Sequence, residues 1–350
     1  MFSVGAGRGD SSGHRSWRRA FLAPPSARVV EPGPKPTFSV VIAAYEAAAF
    51  IAGGVESALR QTVRPHEVIV CDDGSTDDLE AVLAPYRNEI ELIRKDRGGV
   101  ASARNVAVKA ASGEFVAILD ADDAFAPERL EALAELAAAR PDLDILSTDA
   151  YLEVDGQTVG RFNEETPFEV EDQRAAILER CFCPWPALRR SRLLSAAGFD
   201  ESLSTGSDWE VLIRLIHLGC RAGLVDEPLY RYRVRRDSLT ADRVHTLRQR
   251  VRMLEKVSDL RGLSPAERRS LATSIRLQRR SLLLTEAEGA LRARAPDARR
   301  RSLAVALGRD IGFVARLAGL GSAVAPSAAA RALDRRAATG RPTRLSRSVP

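Results

Sequence analysis

Gly113-Glu-Phe-Val-Ala-Ile-Leu-Asp-Ala-Asp-Asp123 is an apolar run that ends in three carboxylates within four positions. A short run of this kind suits a strand buried on both faces, as in a parallel sheet. On its N-terminal side the pattern alternates. Phe38 to Ala44, Glu67 to Cys71 and Ile90 to Ile93 read as further strands, and Ala47 to Arg60, Asp77 to Tyr86 and Val100 to Ala111 follow a helical period. Strands alternating with helices predict an α/β fold, a parallel sheet covered on both faces.

On its C-terminal side a helix is expected to open near Pro127, where proline suits a first turn. The alternation then loosens. Asp144 to Val154 and Thr158 to Phe162 read as strands joined at Asp155-Gly156, a hairpin signal, so the second half is expected to extend the sheet in mixed fashion. From about residue 241 the chain reads as helix, and Ser264-Pro-Ala-Glu267 forms a capping box with proline at the first helical position.

Charge divides the chain in the same places. The totals are 52 Lys+Arg and 47 Asp+Glu, and residues 241–350 hold 24 and 9 of these, a net +15. Residues 1–36 hold 6 and 2, a net +4, which leaves 22 and 36, or −14, for 37–240. Three regions are therefore expected: a disordered basic leader over 1–36, rich in Gly, Ser, Pro and Arg; a sheet domain over 37–240; and a basic helical region over 241–350 whose end is open to disorder.

Composition narrows the setting. Hydrophobic residues at 45% and charged residues at 28% are ordinary for a globular protein. Cys71, Cys181, Cys183 and Cys220 match neither a metal ribbon nor a secreted disulfide framework, so they read as reduced thiols. Arg15, Arg18 and Arg19 precede too short an apolar stretch for a signal peptide, and no run of about 18 apolar residues occurs, so a cytoplasmic location is expected.

Three segments carry candidate chemistry. Carboxylates crowded at the carboxyl end of a central strand, as at Asp120, Asp122 and Asp123, repel one another unless a cation or donor groups satisfy them. That end is where open α/β sheets bind ligands. Hard oxygen ligands suit Mg²⁺ or Mn²⁺, which commonly bridge the phosphates of a nucleotide diphosphate. A solvated acidic loop capping the next helix fits the same residues. Val70-Cys-Asp-Asp-Gly-Ser-Thr-Asp-Asp78 offers a carboxylate to a base or ribose, or simply a turn and a helix cap. Arg97-Gly-Gly-Val-Ala-Ser-Ala-Arg-Asn105 offers helix-start amides and a guanidinium to a phosphate, or a plain turn beside a surface cation.

In this order and spacing these segments resemble the inverting family 2 glycosyltransferases of the GT-A fold. The resemblance runs from Phe38 to about Tyr232. It rests on Val40-Val-Ile-Ala-Ala-Tyr45, Asp72-Asp-Gly-Ser-Thr-Asp77, Gly98-Gly-Val-Ala-Ser-Ala-Arg-Asn105, Leu119-Asp-Ala-Asp-Asp123 and Gly198-Phe-Asp-Glu201 leading to Ser207-Asp-Trp209. It implies a GT-A-type mixed sheet flanked by helices, with an α-helical C-terminal extension. It implies that Ala43 and Tyr45 frame a base, that Asp73 hydrogen-bonds it, and that Arg104 contacts the base or diphosphate. Asp120 falls near the ribose, Asp122 on a Mn²⁺ or Mg²⁺ ion with Asp123 assisting through water, and Asp208 matches the general base. The chain departs from the family's pattern at Glu46, often Asn, and at Ser207, usually acidic.

The implied reaction takes a sugar from a nucleotide-diphosphate donor, with a lean towards UDP, to a hydroxyl of a glycan or lipid-linked acceptor. One base opposite the leaving group gives direct displacement and inversion, by the logic of inverting glycosidases. Asp208 also suits an N-cap. Arg233, Arg235 and Arg236 are candidates for the diphosphate, and Trp185 and Arg189 for the acceptor pocket. A sugar-phosphate nucleotidyltransferase is the rival enzyme, but Ala43-Ala-Tyr-Glu-Ala-Ala48 lacks its glycine- and lysine-rich loop. A nucleic-acid binder is the second rival, and after Tyr232 only Phe313 could stack on bases. The arginines around Ile311 to Val324 suit peripheral contact with an anionic membrane, or packing on the acidic domain.

Overall fold

A computed structural model describes residues 21–25, 35–235, 242–308 and 310–338. The strands in chain order are β1 (Phe21–Leu22), β2 (Phe38–Ala44), β3 (Glu67–Asp72), β4 (Glu91–Arg94), β5 (Phe115–Asp120), β6 (Ala124–Phe125), β7 (Ile145–Val154), β8 (Gln157–Arg161), β9 (Ala187–Arg189) and β10 (Ala222–Val234). They form one sheet in the order β1-β10-β7-β9-β5-β2-β3-β4, with β6 on β10 and β8 on β7. The first half is parallel throughout, β5-β2-β3-β4. The antiparallel strand β9 then joins β5 to β7 and makes the sheet mixed.

Helices α1 (Ile51–Leu59), α2 (Leu79–Leu83), α3 (Val100–Ala110) and α4 (Arg129–Ala139) connect the strands of the first half. The pleat sends alternate side chains to opposite faces, so each strand feeds two cores. Val41, Ile69, Cys71, Val116 and Ile118 enter one. Val40, Ile42, Val68, Val70, Ala117 and Leu119 enter the other. Burial on both faces is what the unbroken apolar runs encode. Asp155 and Gly156 both take positive φ, 49° and 77°, which is the backbone a two-residue hairpin needs, and β7 pairs β8 across them.

Three short helices follow, α5 (Phe162–Glu165), α6 (Gln173–Glu179) and α7 (Arg190–Ser195), and then α8 (Ser207–His217). After β10 the chain is helical, with α9 (Arg243–Val257), α10 (Pro265–Arg292), α11 (Ala298–Leu307), α12 (Phe313–Val324) and α13 (Pro326–Ala338). Ser264 and Glu267 close the expected capping box at the start of α10. Met253, Leu254, Val257 and Leu271 join the same core as Trp209 and Leu212, so α9 and α10 pack on the sheet domain.

Two expectations need correction. The leader is not disordered throughout, because Phe21 and Leu22 pair antiparallel with Val225 and Leu224. Arg221 also donates to the Pro25 carbonyl at 2.5 Å. Residues 1–20 and 26–34 of that leader, the far end beyond 338 and Arg236 lie outside the described residues. The first helix begins at Ile51 rather than Ala47, because Ala47 to Phe50 form a turn with the Phe50 and Ile51 amides on the Ala47 carbonyl.

Candidate active site

Register places the three acidic segments together. Ala43 pairs with Cys71 on one side and Asp120 on the other, so the carboxyl ends of β3, β2 and β5 open at one edge of the sheet. The loops there are tied to one another. Glu46, in the left-handed region at φ 51°, accepts from the Thr76 amide at 2.8 Å and its own amide donates to Ser75 Oγ. The Ala48 amide donates to Asp77 Oδ2 at 2.8 Å. Glu46, the departure from the family's asparagine, thus crosslinks the loops that follow β2 and β3.

Tyr45 is exposed at the rim, and the Arg97 guanidinium lies 4.1 Å from its ring centroid. Ala43, two residues earlier on β2, is half-buried. Asp73 differs from expectation. It is buried, and its Oδ1 accepts from the Gly98 amide and Lys95 Nζ, both at 2.8 Å, while Oδ2 accepts from the Gly99 amide at 2.7 Å. These are also the amides expected to cradle a phosphate. A carboxylate already fills that role, so the glycine turn is a scaffold held by Asp73.

Arg104 and Asn105 stand side by side on α3 and reach in two directions. Arg104 Nη2 donates to Asp120 Oδ1 at 2.5 Å. Asn105 is buried, accepts from the Phe199 amide at 2.7 Å, and donates to the Phe199 carbonyl and Glu201 Oε1 at 2.9 Å each. Gly198 must be glycine for this grip, having φ 71° and no space for a Cβ, which would meet Asn105 Oδ1 at 2.4 Å. One turn of helix thereby links the acidic strand end to the segment that leads into α8.

Asp208 sits in the first turn of α8, where the helix dipole favours a carboxylate. Gly206 is the N-cap and no side chain caps the helix, so the capping role does not fall to Asp208. The Asp208 carboxylate is exposed, and with Arg104, Trp185, Phe199 and Val211 it lines a small cavity. Burial alone would lower the pKa of Arg104, but the Asp120 and Asp208 carboxylates outweigh it and leave it raised. A buried guanidinium therefore bridges the two expected halves of the site.

The acidic turn itself is asymmetric. Asp120 and Asp122 are partly exposed, and Asp123 is wholly buried. Tyr230 Oη donates to Asp123 Oδ2 and the Arg233 amide donates to Oδ1, both at 2.8 Å. Asp123 is thus a strut for the turn and does not face an ion, which corrects its expected assisting role. Its pKa is raised well above the carboxylate range by burial and then by Asp120. Burial, followed by repulsion from Asp120, also raises that of Asp122, although Arg235 Nη1 stands 3.6 Å away.

Among the described residues no group of three or more His, Cys, Asp or Glu side chains is arranged to hold a metal. Asp120 and Asp122 still fit a hard cation whose other ligands come from a diphosphate, which is how Mg²⁺ is usually held. The Asp122 pKa stays raised despite Arg235, and this is the feature that favours such an ion.

Several residues fall elsewhere than expected, or were not anticipated. Arg189 pairs with Asp144 at 2.8 Å and stacks 4.6 Å from Phe115. Antiparallel β9 sets it beside the start of β5, the end of the sheet away from Asp120, so it does not shape the acceptor pocket. Trp185 does line the cavity, stacked on Tyr230 at 4.7 Å and close to Tyr232 at 4.8 Å. Behind it Arg129 is fully buried, with its pKa lowered to about 10 by burial. It donates to the Trp185 carbonyl at 2.6 Å and lies 4.8 Å from the rings of both Phe125 and Tyr230. Of this network the sequence singles out Trp185 alone.

Residues 39–197 match the profile described as Glycosyl transferase family 2. A chondroitin synthase of Pasteurella multocida (strain Pm70) is 32% identical over 188 residues, 53% of this chain and 19% of that protein. The succinoglycan biosynthesis protein ExoO of Rhizobium meliloti (strain 1021) is 31% identical over 219 residues, 59% of this chain and 63% of that protein. The match thus spans less than two thirds of either relative. Among solved structures, S. aureus TarS 1–349 in complex with UDP-GlcNAc aligns with TM-score 0.58 at 20% identity, covering 88% of this chain and 93% of that one. The mannosyltransferase PcManGT of Pyrobaculum calidifontis, in complex with GDP-Man and Mn²⁺, aligns with TM-score 0.55 at 22% identity, covering 91% and 86%. These likenesses share the GT-A fold. Four of the five motif segments gathered at one edge of that fold lie within residues 39–197, and it is this stretch of the chain that matches glycosyl transferase family 2.

Proposed function

We propose that this protein transfers a sugar, with inversion, from a nucleotide-diphosphate donor to a hydroxyl of a glycan or lipid-linked acceptor. The observation that carries the reading is Arg104, which contacts Asp120 and feels Asp208 within one cleft. UDP-GlcNAc in TarS and GDP-Man with Mn²⁺ in PcManGT support a nucleotide-sugar donor.

The base lies against the Tyr45 ring and Arg97, with Ala43 below, and the ribose falls near Asp120. Arg104 and Arg235 face the diphosphate and offset the charge that develops on it as the anomeric bond breaks. Asp122 and Asp120 would hold a Mn²⁺ or Mg²⁺ ion, which would supply further Lewis-acid stabilisation of the leaving group. Asp208 accepts the proton of the attacking hydroxyl. A carboxylate of solution pKa about 4 is a weak base for this, so the transfer is concerted with bond breaking. Exposure of Asp208 on the cavity wall leaves it open to an incoming acceptor.

A membrane-surface location at the cytoplasmic face is part of the proposal. The small residues Gly319 and Ala323 of α12 pack inward, a Cβ on Gly319 meeting the Ser302 carbonyl at 2.8 Å. Its large apolar side chains, Phe313, Val314, Leu317, Leu320 and Val324, are left 49–74% exposed. No single described helix is long and apolar enough to cross a membrane, and the pair α12–α13 is bent by 119°. Such a stripe in a region of net +15 suits the interface of an anionic bilayer.

The test is a panel of nucleotide sugars scored by thermal shift and by release of nucleoside diphosphate, with and without Mn²⁺ or Mg²⁺. One donor should stabilise the protein and be turned over with the metal present. If no nucleotide diphosphate or nucleotide sugar shifts the melting temperature under any condition, the function proposed here is wrong.

A further inference from the structure

Helix α9 begins after β10 and lies outside the matched residues 39–197, yet it packs against the segment that carries Asp208. His245 Nε2 lies 2.8 Å from Ser204 Oγ near the start of α9, and Lys256 pairs with Asp200 near its end. Between these anchors Leu247, Val251, Met253 and Leu254 are buried. Arg250 follows Leu247 by three positions and precedes Leu254 by four, so helical spacing sets it on the same inward face. An arginine placed there directs a cation inward where an apolar residue would pack.

Anchored at Ser204 and Asp200, α9 carries Arg250 against the segment that leads to Asp208. Asp208, Cys181 and Tyr232 are its charged or polar neighbours, with Arg243 adding a second positive charge. Burial pulls the Arg250 pKa down and Asp208 opposes this most strongly. Among the described residues no carboxylate lies within ion-pair distance of Arg250, whereas its neighbour Arg248 pairs with Glu286. Cys181 is half-buried and desolvation raises its pKa well above the thiol range, so it stays neutral and offers no compensating charge.

Inversion decides which substrate this cation meets. The diphosphate side of the cleft is the edge with Asp120, Asp122, Arg104 and Arg235, and a base for in-line displacement stands on the opposite face of the sugar. Arg250 approaches Asp208 from α9, and Tyr232 beside it touches Trp185, whose ring lines the same cavity as Asp208. A flat aromatic wall next to a guanidinium is a surface for a sugar ring that bears an acid. Resting on the transfer reaction proposed above, we infer that Arg250 and the Trp185–Tyr232 wall form an acceptor subsite for an anionic group, carboxylate or phosphate, near the hydroxyl that Asp208 deprotonates.

The experiment uses the full chain saturated with UDP and Mn²⁺. Calorimetric titration compares methyl β-glucuronide, glucose 6-phosphate and methyl β-glucoside on wild type, Arg250→Ala and Arg250→Lys. Wild type should prefer an acidic probe to the neutral glucoside. Loss of a charge-assisted hydrogen bond should weaken that acidic probe by about 10- to 100-fold in Arg250→Ala, with partial recovery in Arg250→Lys. Whichever acidic probe loses more names the group. UDP affinity should stay within about twofold. If wild type and Arg250→Ala bind the acidic probes alike, or if the glucoside weakens by the same factor, the subsite is refuted. If wild type fails to bind UDP, it is the transfer reading that falls, a failure visible before any acceptor is added. Where turnover is measurable, the same variant should raise the acceptor KM with little change in kcat, and the reverse split would mean that Arg250 only positions Asp208.

Discussion

Tyr230→Phe removes one oxygen from the floor of the site and leaves the rest of the side chain in place. The ring is fully buried, stacked 4.7 Å from Trp185 and 4.8 Å from Arg129, and phenylalanine keeps both contacts. The hydroxyl donates to Asp123 Oδ2 at 2.8 Å and accepts from the Asp120 amide at 3.3 Å, so it ties the two ends of the acidic turn. Its loss leaves a buried carboxyl oxygen one donor short, costing about 1 kcal/mol against a protonated Asp123 and about 1.5–3 kcal/mol against an ionised one. Burial and then Asp120 raise the Asp123 pKa, while the bonds from Arg233 and Tyr230 lower it. The variant therefore raises it further.

The sign of the pH effect follows. Above the unfolded value of about 4 the folded state still holds the proton, so the contribution of Asp123 to stability falls as pH rises through its folded pKa. In Tyr230→Phe the fall continues to higher pH. Urea unfolding should give a deficit of about 1 kcal/mol at a pH near the unfolded value, growing to about 1.5–3 kcal/mol at a pH above the folded pKa. Donor affinity should drop with it, because Asp120 and Asp122 belong to the loosened turn. A deficit below about 0.5 kcal/mol at both pH values would show that the hydroxyl does not hold the turn, and an equal deficit at both would refute the titration of Asp123.

Asp122→Asn removes an anionic ligand from a hard-cation site, so metal-dependent stabilisation by the donor and turnover should both be lost; undiminished turnover would sink the metal assignment. Asp208→Asn should keep donor affinity and lower the transfer rate by about two to four orders of magnitude, and a collapse of donor binding would make Asp208 a donor ligand instead. The full chain should co-sediment with anionic vesicles at low salt, while a chain lacking residues 311–350 should not, though it should still hydrolyse donor. Replacing the exposed Phe313, Val314 and Leu317 by serine should abolish sedimentation as well, at a stability change within about 0.5 kcal/mol per site. Equal sedimentation of the truncated chain, or of the serine variant, would reject the membrane reading.

What the linear sequence determined was local and periodic. Unbroken apolar runs such as Val40 to Ala44 require burial on both faces, and that alone implies a parallel sheet between helices. Asp155-Gly156 and Ser264-Pro-Ala-Glu267 carry their own backbone chemistry, and both formed as expected. The clustering of Asp120, Arg104 and Asp208 was legible only through the order of five motifs. Their contacts cross 16 to 104 positions of sequence, and no local preference encodes those.

Tertiary structure decided which polar groups are consumed by the scaffold. Asp73 and Asp123 read as ligands through the family resemblance, yet both are buried and satisfied by Gly98, Gly99, Lys95, Tyr230 and Arg233. Arg189 read as part of the acceptor pocket until antiparallel pairing with β5 carried it to the other end of the sheet. Arg250 had only its helical spacing to Leu247 and Leu254 as a signal, and an arginine in a basic helix looks solvated until the packing of α9 turns it inward. A buried charge costs several kcal/mol unless something meets it, so the fold settles each charge by the partners it brings from distant segments.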